Sequence, residues 1–161
     1  MPVHGPGPMQ LRDLSLRLRE MGKEGKGLQR ELYRAINDAA QPVADQVVDP
    51  AWLFPFMPDQ YARELAPDLR VTTLKRGGQK ASVFLRLRGK TRDRQVTRLN
   101  AGLLRHPVFA RRGTPRKRWR WKTQTGGMRH GFFTDAVHEH FPEIRAKVQQ
   151  AIDDVGKKIT S

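Results

Sequence analysis

The sequence predicts an α+β fold: a small antiparallel β-sheet packed by a long N-terminal helix and a long C-terminal helix. Apolar residues recur at helical spacing near both ends of the chain, and apolar and basic residues alternate in its middle as in a strand. The chain has 161 residues, the size of one domain. We therefore expect a flexible arm over residues 1–10 and a single domain over residues 11–161.

The first helix begins with an apolar stripe of Leu11, Leu14, Leu18 and Met21, spaced three or four residues apart. Three glycines over residues 22–27 each lower helix stability by about 1 kcal/mol relative to alanine. The stripe resumes at Leu28 and ends near Asp49-Pro50. Two interpretations stay open here, one long helix with a weakened patch or two helices joined near residues 22–27.

The stretch DPAWLFPFMPDQY, residues 49–61, holds several prolines and predicts a loop, because proline interrupts helices and central strands. Trp52, Phe54 and Phe56 supply apolar anchors. The favoured interpretation folds these rings onto the chain's own core. The alternative is a loop that docks on another protein.

A β-hairpin follows, in which LRVTTLKR and ASVFLRLRG flank Gly77-Gly78. A glycine pair suits the positive φ angles of a tight turn. The polar stretch KTRDRQVTR predicts a loop or mobile tip. WRWKT predicts a further strand with Trp119 and Trp121 on one face, and Arg118, Arg120 and Lys122 on the other.

The C-terminal helix is predicted to begin at Thr134-Asp135, a typical N-cap and first turn. Pro142 predicts a kink or a restart. The apolar stripe has spacings of three and four residues and comprises Val137, Phe141, Ile144, Val148, Ile152, Val155 and Ile159.

Positive charge is concentrated in the middle of the chain, between Arg70 and Lys122. This segment holds 18 of the 31 Lys and Arg residues and one of the 16 Asp and Glu residues, and the chain's net charge is +15. Such a segregated charge favours a polyanion or an acidic protein surface as partner, and the alternative is a solvated surface with no partner. The densest part is an extended basic loop or hairpin over about residues 90–130.

No motif for catalysis or for a cofactor is present. The chain has no cysteine, so thiol chemistry and cysteine metal sites are excluded. His138 and His140 point about 200° apart on a helix and cannot share a metal. We expect no enzyme activity, metal or cofactor. No apolar run reaches the ~18 residues of a membrane helix, so we expect no membrane partner and synthesis in the cytoplasm.

The order of several phrases resembles a family of small virion proteins. LNAGLLRHPVFARRG, RWKTQ and GFFTDAV, followed by a long amphipathic helix, are similar to minor tail components, or head-to-tail connector (tail-completion, neck) proteins, of long-tailed bacteriophages of actinobacteria. Arg105 to Phe109, Trp121, Gln124 and the run 131–133 match the pattern of that family. Ala110 departs from it, since glycine is usual there.

The resemblance implies a structural, non-enzymatic virion protein of the neck or upper tail, made in the host cytoplasm. It implies a homo-oligomeric ring, six- or twelve-fold, that joins the capsid portal to the tail tube and lets the genome pass. The implied partners are head-completion or stopper proteins, the tail terminator, the tail tube and genomic DNA in the lumen. The alternative function is sequence-independent nucleic-acid binding.

Two groups of residues follow as candidate contacts. The group expected to face lumen DNA or an acidic partner comprises Arg111, Arg112, Arg116, Lys117, Arg118, Arg120 and Lys122. The group expected at subunit or partner interfaces comprises Trp52, Phe54, Phe56, His106, Pro107, Phe109, Trp119 and Trp121.

Overall fold

The computed structural model describes residues 9–91, 93–108 and 120–161, and it has the predicted mixed helix-and-sheet architecture. The helices in this part of the chain are α1 (Leu11–Glu20), α2 (Lys23–Val47), α3 (Pro50–Leu53), α4 (Asp59–Leu65), α5 (Asp93–Asn100) and α6 (Phe132–Thr160). The strands are β1 (Leu69–Arg76), β2 (Ser82–Gly89), β3 (Leu104–Val108) and β4 (Arg120–Gln124). Strand β1 pairs with β2, and β3 pairs with β4.

Contacts divide the chain into two compact units. Unit 1 comprises the described residues of Met1–Pro42, Thr72–Arg86 and Glu139–Ser161. Unit 2 comprises those of Val43–Val71 and Leu87–His138. The expectation of one domain over residues 11–161 stays a prediction.

The core of unit 1 joins α1, α2 and α6. Its buried residues are Leu14, Leu18, Leu32, Ile36, Ala151, Ile152 and Val155. Val83 of β2 packs against this core, so one face of the β1–β2 hairpin is covered as predicted. Met9 of the predicted arm also packs there, and its carbonyl accepts a hydrogen bond of 3.0 Å from Gln149 Nε2.

The junction near residues 22–27 resolves into two helices. Gly22 has φ +66°, a left-handed conformation that glycine adopts without the steric cost of a Cβ atom. Gly25 is required for another reason: a Cβ atom built there would lie 1.8 Å from the carbonyl oxygen of Leu18. Gly27 has nothing within 4 Å of such an atom. Only one of the three glycines therefore lies in the helix without a steric reason.

The prediction that residues 49–61 form a loop is wrong in part, because α3 and the first residues of α4 lie within this stretch. The Asp49 carboxylate accepts a hydrogen bond of 2.9 Å from the backbone N–H of Ala51 and caps α3, with Pro50 as its first residue. Pro58 directly precedes α4. Proline is compatible with a helix start, where its missing N–H would have no partner in any case. Pro50 and Pro58 thus mark helix starts, and the expectation that they only interrupt helices is wrong.

The β1–β2 hairpin is confirmed, but its connection is longer than a two-residue turn. A 3-10 turn over Gly78–Lys80 joins the strands, and only Gly78 of the glycine pair has a positive φ, +76°. The backbone N–H of Gly78 donates to Ser15 Oγ at 2.8 Å and fastens the connection to α1.

Two further segments differ from the predictions. The stretch KTRDRQVTR was expected to be a loop, yet α5 lies there, with Val96 and Leu99 buried one helical turn apart. His106, in the segment of about 90–130 expected to be a basic loop or hairpin, lies in strand β3. Helix α5 is short and most of its residues are polar, so its sequence gives little helical pattern.

Helix α6 begins at Phe132, two residues before the predicted start, and runs unbroken through Pro142. The predicted restart at Pro142 is therefore wrong. Ile144, Ile152 and Val155 of the predicted stripe are buried, whereas Phe141 is 51% exposed. Helical spacing places Phe141 on the same face of α6 as these three residues. Burial of a side chain also requires that another element packs against that part of the face.

Candidate functional site

Strands β3 and β4 bring two of the sequence-predicted groups of residues together. Their antiparallel register pairs His106 with Lys122, Pro107 with Trp121, and Val108 with Arg120. The strand predicted for WRWKT thus exists over residues 120–124, and its partner is the His-Pro phrase. A proline is tolerated there because a strand in a two-stranded ladder has one unpaired edge.

Most of the basic and aromatic candidates between these strands lie outside the described residues. They are Phe109, Arg111, Arg112, Arg116, Lys117, Arg118 and Trp119. The backbones of His106, Pro107, Arg120 and Trp121 are described as strand, and the side chain of Lys122 is exposed. The predicted contacts of this group stay predictions.

The three aromatic anchors of the 49–61 stretch differ in their surroundings. Phe56 is buried, and its ring lies 5.5 Å from that of Trp52 and 6.4 Å from that of Phe132. The indole Nε1–H of Trp52 donates to the backbone carbonyl of Phe132 at 2.9 Å. Phe54 is half-buried under the guanidinium of Arg63, 5.5 Å from its ring centre. These contacts fit the favoured interpretation, in which the rings fold onto the chain itself.

Asn100, at the end of α5, holds the start of α6. Its Oδ1 atom accepts hydrogen bonds from the backbone N–H groups of Phe133 (2.9 Å) and Thr134 (3.3 Å). Its Nδ2–H donates to Thr134 Oγ1 at 2.9 Å, and its backbone carbonyl accepts from Gly131 N–H at 2.7 Å. Asn100 therefore caps a helix whose first residue lies 32 positions further along the chain, a role that local spacing does not reveal.

Arg129 completes this junction. Its backbone N–H donates to the carbonyl of Phe56 at 2.7 Å, and its guanidinium lies 5.0 Å from the centre of the Phe56 ring. The same side chain approaches Asp135 Oδ2 at 3.8 Å. Gly102 follows α5 with φ +77°, and a Cβ atom there would come within 3.0 Å of the backbone nitrogen of His130. Close packing of backbone on backbone thus holds the junction together.

In unit 1, the inward face of the β1–β2 hairpin carries a half-buried lysine. Lys75 Nζ donates to Asn37 Oδ1 at 2.7 Å and to Thr73 Oγ1 at 2.8 Å. The ammonium also lies 5.2 Å from the centre of the Tyr33 ring. Burial among these neutral partners lowers the pKa of Lys75 below its ordinary value of 10.5.

The opposite, outward face of the hairpin carries arginine and apolar side chains. Arg76 places its guanidinium 5.5 Å from the centre of the Phe84 ring, so these two residues share a face across the strands. Leu74 and Arg86 lie on the same face, because side chains two residues apart in a strand point the same way. We call these four residues, Leu74, Arg76, Phe84 and Arg86, the basic hairpin face.

Unit 1 also contains an open cavity of about 310 Å³ between α1, the start of α2 and the hairpin connection. Its charged lining residues are Arg19 and Lys26, and Ser15, Gln29 and glycines supply the rest of its polar surface. In the residues that the structure describes, no three His, Asp or Glu side chains are placed to hold a metal ion together. Among the same residues, no helix has the length and apolar character needed to cross a membrane.

The chain matches no protein-family model, no curated protein and no solved structure.

Proposed function

We propose that this chain is a structural virion protein that forms an oligomeric ring in the neck or upper tail of a long-tailed phage. The ring joins the capsid connector to the tail tube and lets the genome pass. One observation carries the proposal: the three phrases on which the resemblance depends assemble into one part of unit 2, although up to about thirty residues separate them.

Two contacts assemble the phrases. Strand β3 of the His-Pro phrase pairs residue by residue with β4 of the RWKTQ phrase. Asn100 of the LNAG phrase caps the helix that begins at the GFF phrase. Residues that look like scattered matches in the sequence therefore form a framework in three dimensions. These contacts give the matched residues a structural role, as the proposal of a structural protein expects.

The described surface offers material for contacts between subunits. Val48 and Phe141 are apolar side chains that are each at least 40% exposed. A ring requires two different surfaces on each subunit, one for each neighbour. The burial of exposed apolar side chains in such contacts is favourable. Lys122, at the end of the basic segment 111–122, supplies charge for DNA or for an acidic neighbour.

The first experiment measures the mass of the purified protein, alone and with phage neck and tail proteins. We expect a closed multimer with a fixed number of subunits, and the same stoichiometry in purified particles. A protein that stays monomeric at every concentration and is absent from particles would rule the proposal out.

The second experiment neutralises Arg116, Lys117 and Arg118 together by replacement with glutamine. We expect particles that fail in head–tail joining or genome passage, with an unchanged circular dichroism spectrum and melting temperature of the protein. The matched control replaces three exposed arginines of the helices, Arg12, Arg30 and Arg145, and should leave joining intact. Loss of the folded state in the first variant would contradict the assignment of these residues.

A further inference from the structure

The two faces of the β1–β2 hairpin have different surroundings. The inward face is occupied by the chain itself: Thr73 and Lys75 bind Asn37 of α2, and Val83 packs on the core of unit 1. Within the part of the chain that the structure describes, the outward basic hairpin face has no such cover. Phe84 is 48% exposed and Leu74 is 42% exposed, and Arg76 and Arg86 are exposed.

The charge of the hairpin is of one sign. Residues 69–89 contain six Lys and Arg residues and no Asp or Glu. None of the described acids forms an ion pair with Arg76 or Arg86. Protein partners present carboxylates at a few places, whereas a nucleic-acid strand presents a phosphate at every nucleotide. A continuous run of cations without acids therefore fits a nucleic acid better than an acidic protein.

The aromatic ring decides which form of nucleic acid fits. The Phe84 ring lies on an exposed sheet surface with the Arg76 guanidinium over it, 5.5 Å from the ring centre, and unpaired bases stack both on aromatic rings and on guanidinium planes. Arg86 follows Phe84 on the same side of the strand, about 6.6 Å away, within reach of a phosphate next to a stacked base. A duplex hides its base faces and cannot use the ring.

We infer that the basic hairpin face binds single-stranded nucleic acid without sequence preference, with Arg76 and Arg86 on phosphates and a base stacked on Phe84. This surface lies outside the basic segment 111–122, and the inference does not depend on ring formation. It therefore holds or fails separately from the proposed virion function.

The test uses fluorescence anisotropy of the full chain with an oligo(dT) probe of about 20 nucleotides, longer than the roughly 4–16 nucleotides that one small domain covers. Phe84→Ala should weaken binding at least about 5-fold, the lower end expected from 1–3 kcal/mol per stacked base. The matched control is Phe141→Ala, which removes an equally exposed phenylalanine of unit 1 and should leave the affinity unchanged. Phe84→Trp keeps an aromatic ring at this position and should bind the probe as tightly as the unchanged protein does.

Charge is tested separately from stacking. The double variant Arg76→Gln/Arg86→Gln should reduce the slope of log affinity against log salt by about 1.4, since each phosphate contact on a single strand contributes about 0.7. Arg30→Gln/Arg145→Gln changes the net charge equally, from exposed positions on α2 and α6, and should reduce this slope less.

Three results would overturn the inference. Equal affinities of Phe84→Ala and Phe141→Ala, both folded, would exclude stacking on Phe84. A duplex that binds as tightly as the oligo(dT) probe would exclude preference for a single strand. Poly-glutamate that competes as well as oligo(dT) would assign the face to acidic proteins.

Discussion

At the scale of single residues, two neighbouring glycines have different roles, and their surroundings distinguish them. Gly25 and Gly27 are two positions apart in helix α2, and the sequence alone does not distinguish them. Gly25 lies against the Leu18 carbonyl and has no room for a methyl group, whereas Gly27 faces open space. The two glycines therefore respond to the same substitution in opposite directions.

Gly25→Ala should destabilise the protein by more than about 2 kcal/mol, because a backbone atom occupies the place of the new methyl group and α1 must move away. Gly27→Ala should stabilise it by about 1 kcal/mol, the difference in helix propensity between the two residues. Urea unfolding of both variants measures the change. Similar effects of both substitutions would contradict the packing of α1 on α2.

Lys75 should titrate below 10.5, because the folded state desolvates its ammonium group. In the pH range between the lowered pKa and 10.5, the unfolded chain binds more protons than the folded one. The contribution of Lys75 to the free energy of unfolding therefore rises with pH in that range. The ¹³Cε chemical shift of Lys75 measures its midpoint, and a midpoint at or above 10.5 would contradict the burial seen here.

At the scale of elements, helix ends depend on residues from other parts of the chain. The start of α6 receives its cap from Asn100 rather than from Thr134, the local candidate. The start of α3 is capped locally by Asp49. Orphan N–H groups are thus satisfied by whichever acceptor the fold brings close.

Asn100→Ala should cost about 1–2 kcal/mol of stability, the usual range for a lost N-cap. Asn100→Asp keeps an acceptor for the N–H groups of Phe133 and Thr134 and should retain part of that free energy, while it loses the bond that Nδ2 donates to Thr134. Thermal unfolding compares the two variants. If Asn100→Ala melts at the temperature of the unchanged protein, the cap does not stabilise α6.

At the scale of the whole molecule, charge is the dominant feature. The net charge is +15, and the segment between Arg70 and Lys122 holds a larger excess than the full chain, because acids outnumber bases elsewhere. Such a charge keeps the protein soluble but makes the folded state repel itself. The ion pair of Glu143 with Lys147, which lowers the pKa of Glu143, is exposed and offsets little of this repulsion.

The melting temperature of the isolated protein should rise as NaCl increases from about 10 to 200 mM, because salt screens repulsion over the Debye length. Differential scanning calorimetry measures this rise. A melting temperature that falls with salt would mean that attractive ion pairs outweigh repulsion in the folded state.

Features set by local pattern were predictable from the sequence. The stripes of α2 and α6, the β1–β2 hairpin and the strand at residues 120–124 follow from spacing alone. Helix α5 was missed because it shows only two apolar positions to a pattern search, Val96 and Leu99. The Asn100 cap could not be predicted, because the acceptor and the N–H groups that donate to it lie more than thirty residues apart in the sequence and only the fold brings them together. Asp49-Pro50 could have been recognised, since both residues are typical of a helix start.

The register of β3 and β4 brings the two ends of the stretch 109–119 close together. Val108 and Arg120 face each other across the ladder, so their Cα atoms lie about 5 Å apart. Whatever chain joins these two points therefore begins and ends at one place in the fold. We therefore expect that a neutral peptide of another length, or an epitope tag, can be grafted between them while both strands keep their partners, so that this protein serves as a scaffold for exchanging one insert at a time.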